Sequence, residues 1–218
     1  MQQIGIYGAG GFAREVAWLV ESISSEVNPL FPAFFIDDNP DTHGSEVNGI
    51  PVLGFEQVES SFADALIVGG VGAGKVRQKL MERVSAAGFE SATLVHPNVQ
   101  LSRFVTMGVG TVICAGNILT TNIRLGRHVQ INLDCTIGHD VEMDDYATLA
   151  PGVHVSGWVR IGKRAYVGTG ANIINGTSDA PLVIGDDTVV GAGACVTGSL
   201  DSRVLAVGVP AKVIKQLG

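Results

Sequence analysis

From residue 101 onward the apolar positions of the chain recur every six residues. Leu101, Met107, Ile113, Leu119, Leu125, Ile131, Ile137, Met143, Leu149, Val155, Ile161, Val167 and Ile173 are thirteen successive sixth positions, and each is Leu, Ile, Val or Met. With those types at roughly three in ten along the chain, chance gives such a run on the order of once in 10⁷, so the period marks a repeat architecture. The position after each aliphatic is mostly small or turn-forming, as at Ser102, Gly108, Gly126, Asn132, Gly138, Ala150, Ser156, Gly162 and Gly168. After Ile173 the pattern resumes at Ile184, Val190 and Val196; the gap of eleven is one repeat with five extra residues around Thr177–Pro181.

One inward aliphatic per six residues predicts a triangular parallel β-helix with three hexapeptides per coil, in which Leu101 stacks on Leu119 and Ile137 on Val155. Sixteen repeats make about five coils, roughly 25 Å tall at ~4.8 Å per strand. The inside of such a prism is unreactive, so chemistry belongs to its corners, its outer faces, or the space between copies.

Residues 1–96 follow a different pattern. Short apolar strands are predicted at 3–7, 33–36, 65–68 and 93–95. Helices are predicted from Phe12 to Ser22, where Val16, Leu19, Val20 and Ile23 share a side, and from about Lys75 to Ala87. Strand–helix–strand order implies a parallel sheet with right-handed crossovers. The expected organisation is therefore a Rossmann-like α/β half-domain over 1–96 and a left-handed β-helix over 97–218.

Composition and charge narrow the class. The chain has 218 residues, 46% hydrophobic, with 29 glycines and no Gly-X-Y period, which excludes both disorder and collagen. A net charge of −7 without a basic run argues against nucleic acid as a partner. Cys114, Cys135 and Cys195 lack zinc or disulfide spacing. The start of the chain lacks the basic and apolar regions of a signal peptide, and the uncharged stretch Phe104–Ile123 is too rich in Thr and Asn for a membrane helix. A cytoplasmic protein without a membrane span is expected.

Two places carry candidate chemistry. Gly8-Ala9-Gly10-Gly11-Phe12-Ala13 is a GxGxxA turn between a strand and a helix, where backbone N–H groups and the helix N-terminus are open to phosphate. Asp37 ends the second strand, in reach of a ribose or base edge. A full dinucleotide site needs two βαβαβ halves, so a half-sized sheet suits a mononucleotide or sugar nucleotide better. A tight turn with solvated acids is the plainer alternative. Among the five histidines, His139 stands at a corner of the repeat, two residues after Ile137 and directly before Asp140. His43 and His96 read as structural or solvated, and His128 and His154 as surface residues of the repeats. A zinc site of the β-helix carbonic anhydrase type would need His128, His139 and His154 to converge, and their spacings of 11 and 15 miss the eighteen-residue register.

The hexapeptide run and the ending Gly208-Val209-Pro210-Ala211-Lys212 resemble the acyl-CoA-dependent hexapeptide acyltransferases. With the Gly8–Gly11 loop, Asp37-Asp38, and Asn132 seven residues before His139-Asp140, the whole chain resembles a narrower family. That family holds the UDP-4-amino-sugar N-acetyltransferases of bacillosamine biosynthesis and the sialic acid O-acetyltransferases. The resemblance implies a homotrimer using acetyl-CoA, with no metal, and a UDP-linked amino sugar as acceptor. Sugar O-acetylation is the alternative, and a non-catalytic trimeric binding module a more distant one. It implies His139 as base, oriented by Asp140, with the Gly157 backbone as oxyanion donor. The sugar nucleotide falls to Gly10, Gly11, Phe12, Asp37, Asp38, Gly72 and Asn132. Acetyl-CoA falls to Thr148, Gly157, Thr169, Ala192, Gly193 and Lys212. Asp140 stands where bacillosamine-pathway members carry Glu, and Thr148 where some carry a second His.

Overall fold

The computed structural model describes residues 1–218 and divides into two compact units, one of residues 1–72 with 76–97 and one of 73–75 with 98–218.

In the first unit, β1 (Gln2–Tyr7) leads through a glycine turn into α1 (Gly11–Ile23) and then β2 (Leu30–Ile36). A short antiparallel pair, β3 (Glu46–Val47) and β4 (Ile50–Leu53), precedes α2 (Phe55–Ser61), β5 (Leu66–Gly69) and α3 (Gly74–Ala86). The sheet order is β3-β4-β2-β1-β5, with β1 parallel to both β2 and β5. Helix α1 buries Ala13, Val16, Ala17, Leu19 and Val20 against this sheet, the side its 3.6-residue pattern marks as apolar. Gly5 and Gly70 make room for the packing: a Cβ on Gly5 would lie 2.3 Å from the Phe34 ring, and one on Gly70 2.7 Å from Ile6 and 2.8 Å from Ala13.

The second unit is a left-handed parallel β-helix. Its first face stacks Gln100–Leu101, Ile118–Leu119, Thr136–Ile137, His154–Val155, Asn172–Ile173 and Cys195–Val196. The second face runs from Val105–Met107 through Ile123–Leu125, Glu142–Met143 and Val159–Ile161 to Leu182–Ile184. A third carries Val112–Ile113, Gln130–Ile131, Thr148–Leu149, Tyr166–Val167 and Val189–Val190, and is extended by Val204–Val207 and the antiparallel Lys212–Gln216. Pairing runs at eighteen residues, as in Ile137↔Val155, and lengthens to twenty-three across the insertion on every face, as in Val159↔Leu182, Tyr166↔Val189 and Asn172↔Cys195. Eleven of the thirteen period-six aliphatics are buried; Leu101 and Met107 are not, because they begin the stack and have no coil above them.

The corners follow a rule that hydropathy does not express. Three residues after most inward aliphatics the chain takes a left-handed conformation: Asn122, Asp140 and Trp158 at one edge, His128, Tyr146, Arg164 and Asp187 at a second, Asp134 and several glycines at the third. Inside, Asn117 is fully buried and donates to the carbonyls of Cys114 (2.6 Å) and Asn132 (2.8 Å) while accepting from the Cys135 N–H (2.9 Å). Burial pushes the Cys135 thiol up to about 11, so it is a protonated core residue. No helix is long and apolar enough to cross a membrane.

Candidate active site

The sheet of the first unit gathers one site at its C-terminal edge. Tyr7 is the register partner of Ile36 on one side and of Gly69 on the other, so the Gly8–Gly11 turn, Asp37-Asp38 and the Gly70–Gly72 loop all leave the sheet side by side. Edges of this kind, where connections leave a strand to opposite sides, are where parallel sheets take ligands. Gly8 has φ +116, a conformation that favours glycine, and its N–H donates to the Ile36 carbonyl (2.7 Å). Gly10 and Gly11 are exposed, and a Cβ on Gly10 would meet nothing within 4 Å, so the N-terminal end of α1 is open. Phe12 is half-buried, and Gly72 has open space around it.

Beside that edge, Asp37, Asp38, His43, Phe55 and Arg83 line a cleft of ≈ 500 Å³. The Asp38 carboxylate accepts from Tyr7 Oη (2.8 Å) and from Arg83 (3.0 Å), and Arg83 also donates to Tyr7 Oη (3.0 Å). The Arg83 guanidinium lies 4.2 Å over the Phe55 ring, which itself stacks on Tyr7 at 5.6 Å. Burial, reinforced by the Asp38 carboxylate, holds the Tyr7 phenol well above its ordinary value, so it stays a hydrogen-bond donor. His43 is tied to the Asp37 carbonyl (2.8 Å), consistent with a structural role. Sequence reasoning missed Tyr7, Phe55 and Arg83; Arg83 reaches Asp38 across 45 residues of chain, and no local spacing announces such a contact.

In the second unit, His139 and Asp140 meet. Adjacent residues on a strand point apart, but Asp140 is in the left-handed corner conformation (φ 56), which turns its carboxylate back onto its neighbour. His139 Nδ1 lies 2.8 Å from Asp140 Oδ2. A carboxylate only accepts, so this contact puts the proton on Nδ1 and leaves Nε2 as the basic nitrogen. One coil on, Gly157 lies against the exposed imidazole: a Cβ there would fall 2.5 Å from His139 Cε1 and 2.6 Å from Nε2. The corner N–H groups at the corresponding positions Arg127 and Lys163 donate to Asp145 (2.7 Å) and Asp186 (2.9 Å), whereas Gly157 has no such carboxylate. Trp158 follows, edge-on to the imidazole at 6.1 Å.

The insertion leaves and rejoins the prism at this same edge. Gly176 donates to the Gly157 carbonyl (3.0 Å) and Leu182 to that of Trp158 (3.0 Å). Ser178 and Pro181 thereby wall a cavity of ≈ 340 Å³ together with Asn122, Asp140, Trp158 and Arg160. Neither Asn122 nor Trp158 was singled out by the sequence pattern, since the left-handed positions accept residues as different as Asn, Asp and Trp.

The remaining candidates stand elsewhere on the prism. Asn132 is buried, with its N–H on the Leu149 carbonyl and its Oδ1 beside Cys114 Sγ, on a different edge from His139. Thr169, Ala192 and Gly193 are exposed on that other edge, where Gly193 donates to the Thr169 carbonyl (2.8 Å). Thr148 is buried between Gln130 and Tyr166 on the third face, and Lys212 is exposed on the last strand. His128 stacks on Tyr146 and His154 bonds Thr136, so the three prism histidines occupy separate places.

The β-helix of hexapeptides is the fold of solved sugar acetyltransferases. Residues 3–84 match the model of the PglD N-terminal domain. The GDP-perosamine N-acetyltransferase of Escherichia coli O157:H7 is 32% identical over 187 residues, 85% of this chain and 84% of that protein. Among solved structures, WeeI from Acinetobacter baumannii AYE has a TM-score of 0.90 at 35% identity, covering 98% of this chain and 100% of that one. A histidine-to-asparagine mutant of perosamine N-acetyltransferase from Caulobacter crescentus, solved with CoA and GDP-perosamine, has a TM-score of 0.88 at 29% identity, covering 99% and 98%. The chain belongs to this family of sugar N-acetyltransferases that act on nucleotide amino sugars, and it is an acetyl-CoA-dependent acetyltransferase.

Proposed function

We propose that this enzyme transfers the acetyl group of acetyl-CoA to the 4-amino group of a UDP-linked amino-dideoxy sugar in the cytoplasm. The observation that carries the reading is the His139–Asp140 contact above Gly157, on a chain that also has an open nucleotide-sized edge at Gly8–Gly11. The nucleotide acts as a handle that holds a distant amine in place by proximity.

In this reading Asp140 fixes the Nδ1–H tautomer of His139. Nε2 takes the proton that the attacking amine sheds as its nitrogen bonds the thioester carbon. The Gly157 N–H, on the coil that faces the imidazole, stabilises the oxyanion that forms, and collapse expels CoA thiolate. Nothing in this sequence of steps needs a metal.

Thr169, Ala192 and Gly193 lie on a different edge of the prism from Gly157. Acetyl-CoA lying along one edge meets only one of these sets within a single chain. That supports a homotrimer in which the cofactor groove is completed by a neighbouring copy, with Lys212 near its phosphates. Asn132 and Thr148 enter this scheme only through such a neighbour.

GDP in place of UDP is the second reading, favoured by the relatives named for GDP-perosamine. Calorimetric titration with UDP and with GDP separates the two. The UDP reading expects measurable UDP affinity that Asp37→Ala abolishes; binding of GDP alone replaces UDP with GDP, and binding of neither overturns the nucleotide-handle assignment.

A further inference from the structure

At the edge that carries His139, the left-handed corner residues of successive coils stack. Asn122 and Asp140 are eighteen apart, both with positive φ (55 and 56), and occupy the same corner position one coil from each other. Asn122 Nδ2 donates to Asp140 Oδ1 (3.3 Å), while the other carboxylate oxygen, Oδ2, receives His139 Nδ1 (2.8 Å). The Asp140 N–H donates to the Thr121 carbonyl (3.1 Å), which ties the Asp140 backbone to the same preceding coil. Asp140 is thus held from both sides: its backbone and one oxygen by the preceding coil, its other oxygen by the imidazole.

We propose that Asn122 is a positioning residue for the acetyl transfer, which anchors Asp140 Oδ1 so that Oδ2 keeps the His139 imidazole in its basic tautomer above Gly157. The physical need follows from the length of the side chain. Aspartate is one methylene shorter than glutamate, so the window of χ angles in which it meets the imidazole of its own neighbour is narrow. The Asp140 carboxylate lines the exposed cavity, where Arg124 and Arg160 are paired with Glu142, so neither arginine fixes its orientation. The Asn122 amide removes that freedom. A contact of 3.3 Å is long for a hydrogen bond at rest, and such contacts tighten in the reacting complex.

The inference rests on His139 as the base, and the test separates the two claims. Asn122→Gly suits the positive φ and deletes only the amide; Asn122→Asp keeps the size and the backbone preference but turns the donor toward Asp140 into an acceptor. Both variants are expected to lower kcat by ~10-fold with KM for acetyl-CoA unchanged, the scale of a lost hydrogen bond to a charged group. Combined with His139→Ala, either substitution is expected to add no further loss, because the group it positions is gone. A wild-type rate in Asn122→Gly or in Asn122→Asp overturns the proposal. So does a loss that persists undiminished on the His139→Ala background, which marks Asn122 as merely structural. Near-normal turnover in His139→Ala alone removes the base, and the positioning role falls with it.

Discussion

His139 and Gly157 are in such close register that the glycine has no room for a side chain: an added Cβ would stand 2.5 Å from Cε1 and 2.6 Å from Nε2 of the imidazole. Gly157 is not in the left-handed region, so alanine is compatible with its backbone and the whole effect of Gly157→Ala falls on the imidazole. That variant is expected to fold with a near-normal melting temperature and to lose kcat by ~10²-fold, the scale of displacing a catalytic group by about an ångström. Steady-state kinetics beside a thermal melt check it.

The core of the prism has its own weak point. Asn117 serves three backbone groups that have no access to water. Asn117→Ala removes these three hydrogen bonds, at a cost of ~2–4 kcal/mol. For a chain of this length that corresponds to a drop of roughly 5–10 °C in melting temperature.

Acid stability depends on the second edge. The Arg164 side chain, bonded at 2.6 and 2.7 Å, holds the Asp187 carboxyl below its ordinary value of 3.8, and Arg127 does the same for Asp145. A carboxylate whose folded pKa is depressed adds stability above its unfolded pKa and loses it as pH falls through the folded value. Asp187→Asn is therefore expected to lower the melting temperature at pH 7 by ~2–4 °C, about 1 kcal/mol. The gap between variant and wild type closes as pH falls below 3.8. A gap that stays constant down to pH 2 contradicts the ion-pair explanation.

Arg83 ties Asp38, Tyr7 and Phe55 into one wall of the cleft in the first unit, where the proposed function places the nucleotide. Arg83→Ala is expected to weaken nucleotide binding by roughly tenfold, ~1.4 kcal/mol, with kcat at saturating substrate retained. Calorimetry gives the first quantity and a saturation curve the second.

The period of six in the second unit was legible because successive hexapeptides each place one aliphatic on the inward side, eleven of the thirteen buried. The length of the insertion was legible for the same reason, as a missed beat. Its role was not: that Ser178 and Pro181 wall the cavity beside Asp140 depends on where the chain crosses back at Gly176 and Leu182. The contact of His139 with Asp140 was conditional on corner geometry, and the left-handed φ at position 140 supplies it; this φ leaves no hydropathy signal, since Asn, Asp, Trp, Tyr and Arg all take it here. In the first unit the strand–turn–helix order announced the glycine edge, whereas Arg83 and Tyr7 act through contacts 45 and 31 residues from Asp38. Asn132, close to His139 in sequence, is on another edge because seven residues is one hexapeptide and one more.

The central claim is that His139 drives acetylation of a nucleotide-linked sugar amine. Thiol release from acetyl-CoA, followed with a UDP-linked and a GDP-linked 4-amino-4,6-dideoxy sugar and with free sialic acid, tests it in wild type and His139→Ala side by side. The account predicts rapid release with an amino-sugar nucleotide, none with sialic acid, and a kcat lower by ~10²–10⁴ in the variant. Acetylation of sialic acid alone, or an undiminished rate in His139→Ala, contradicts it.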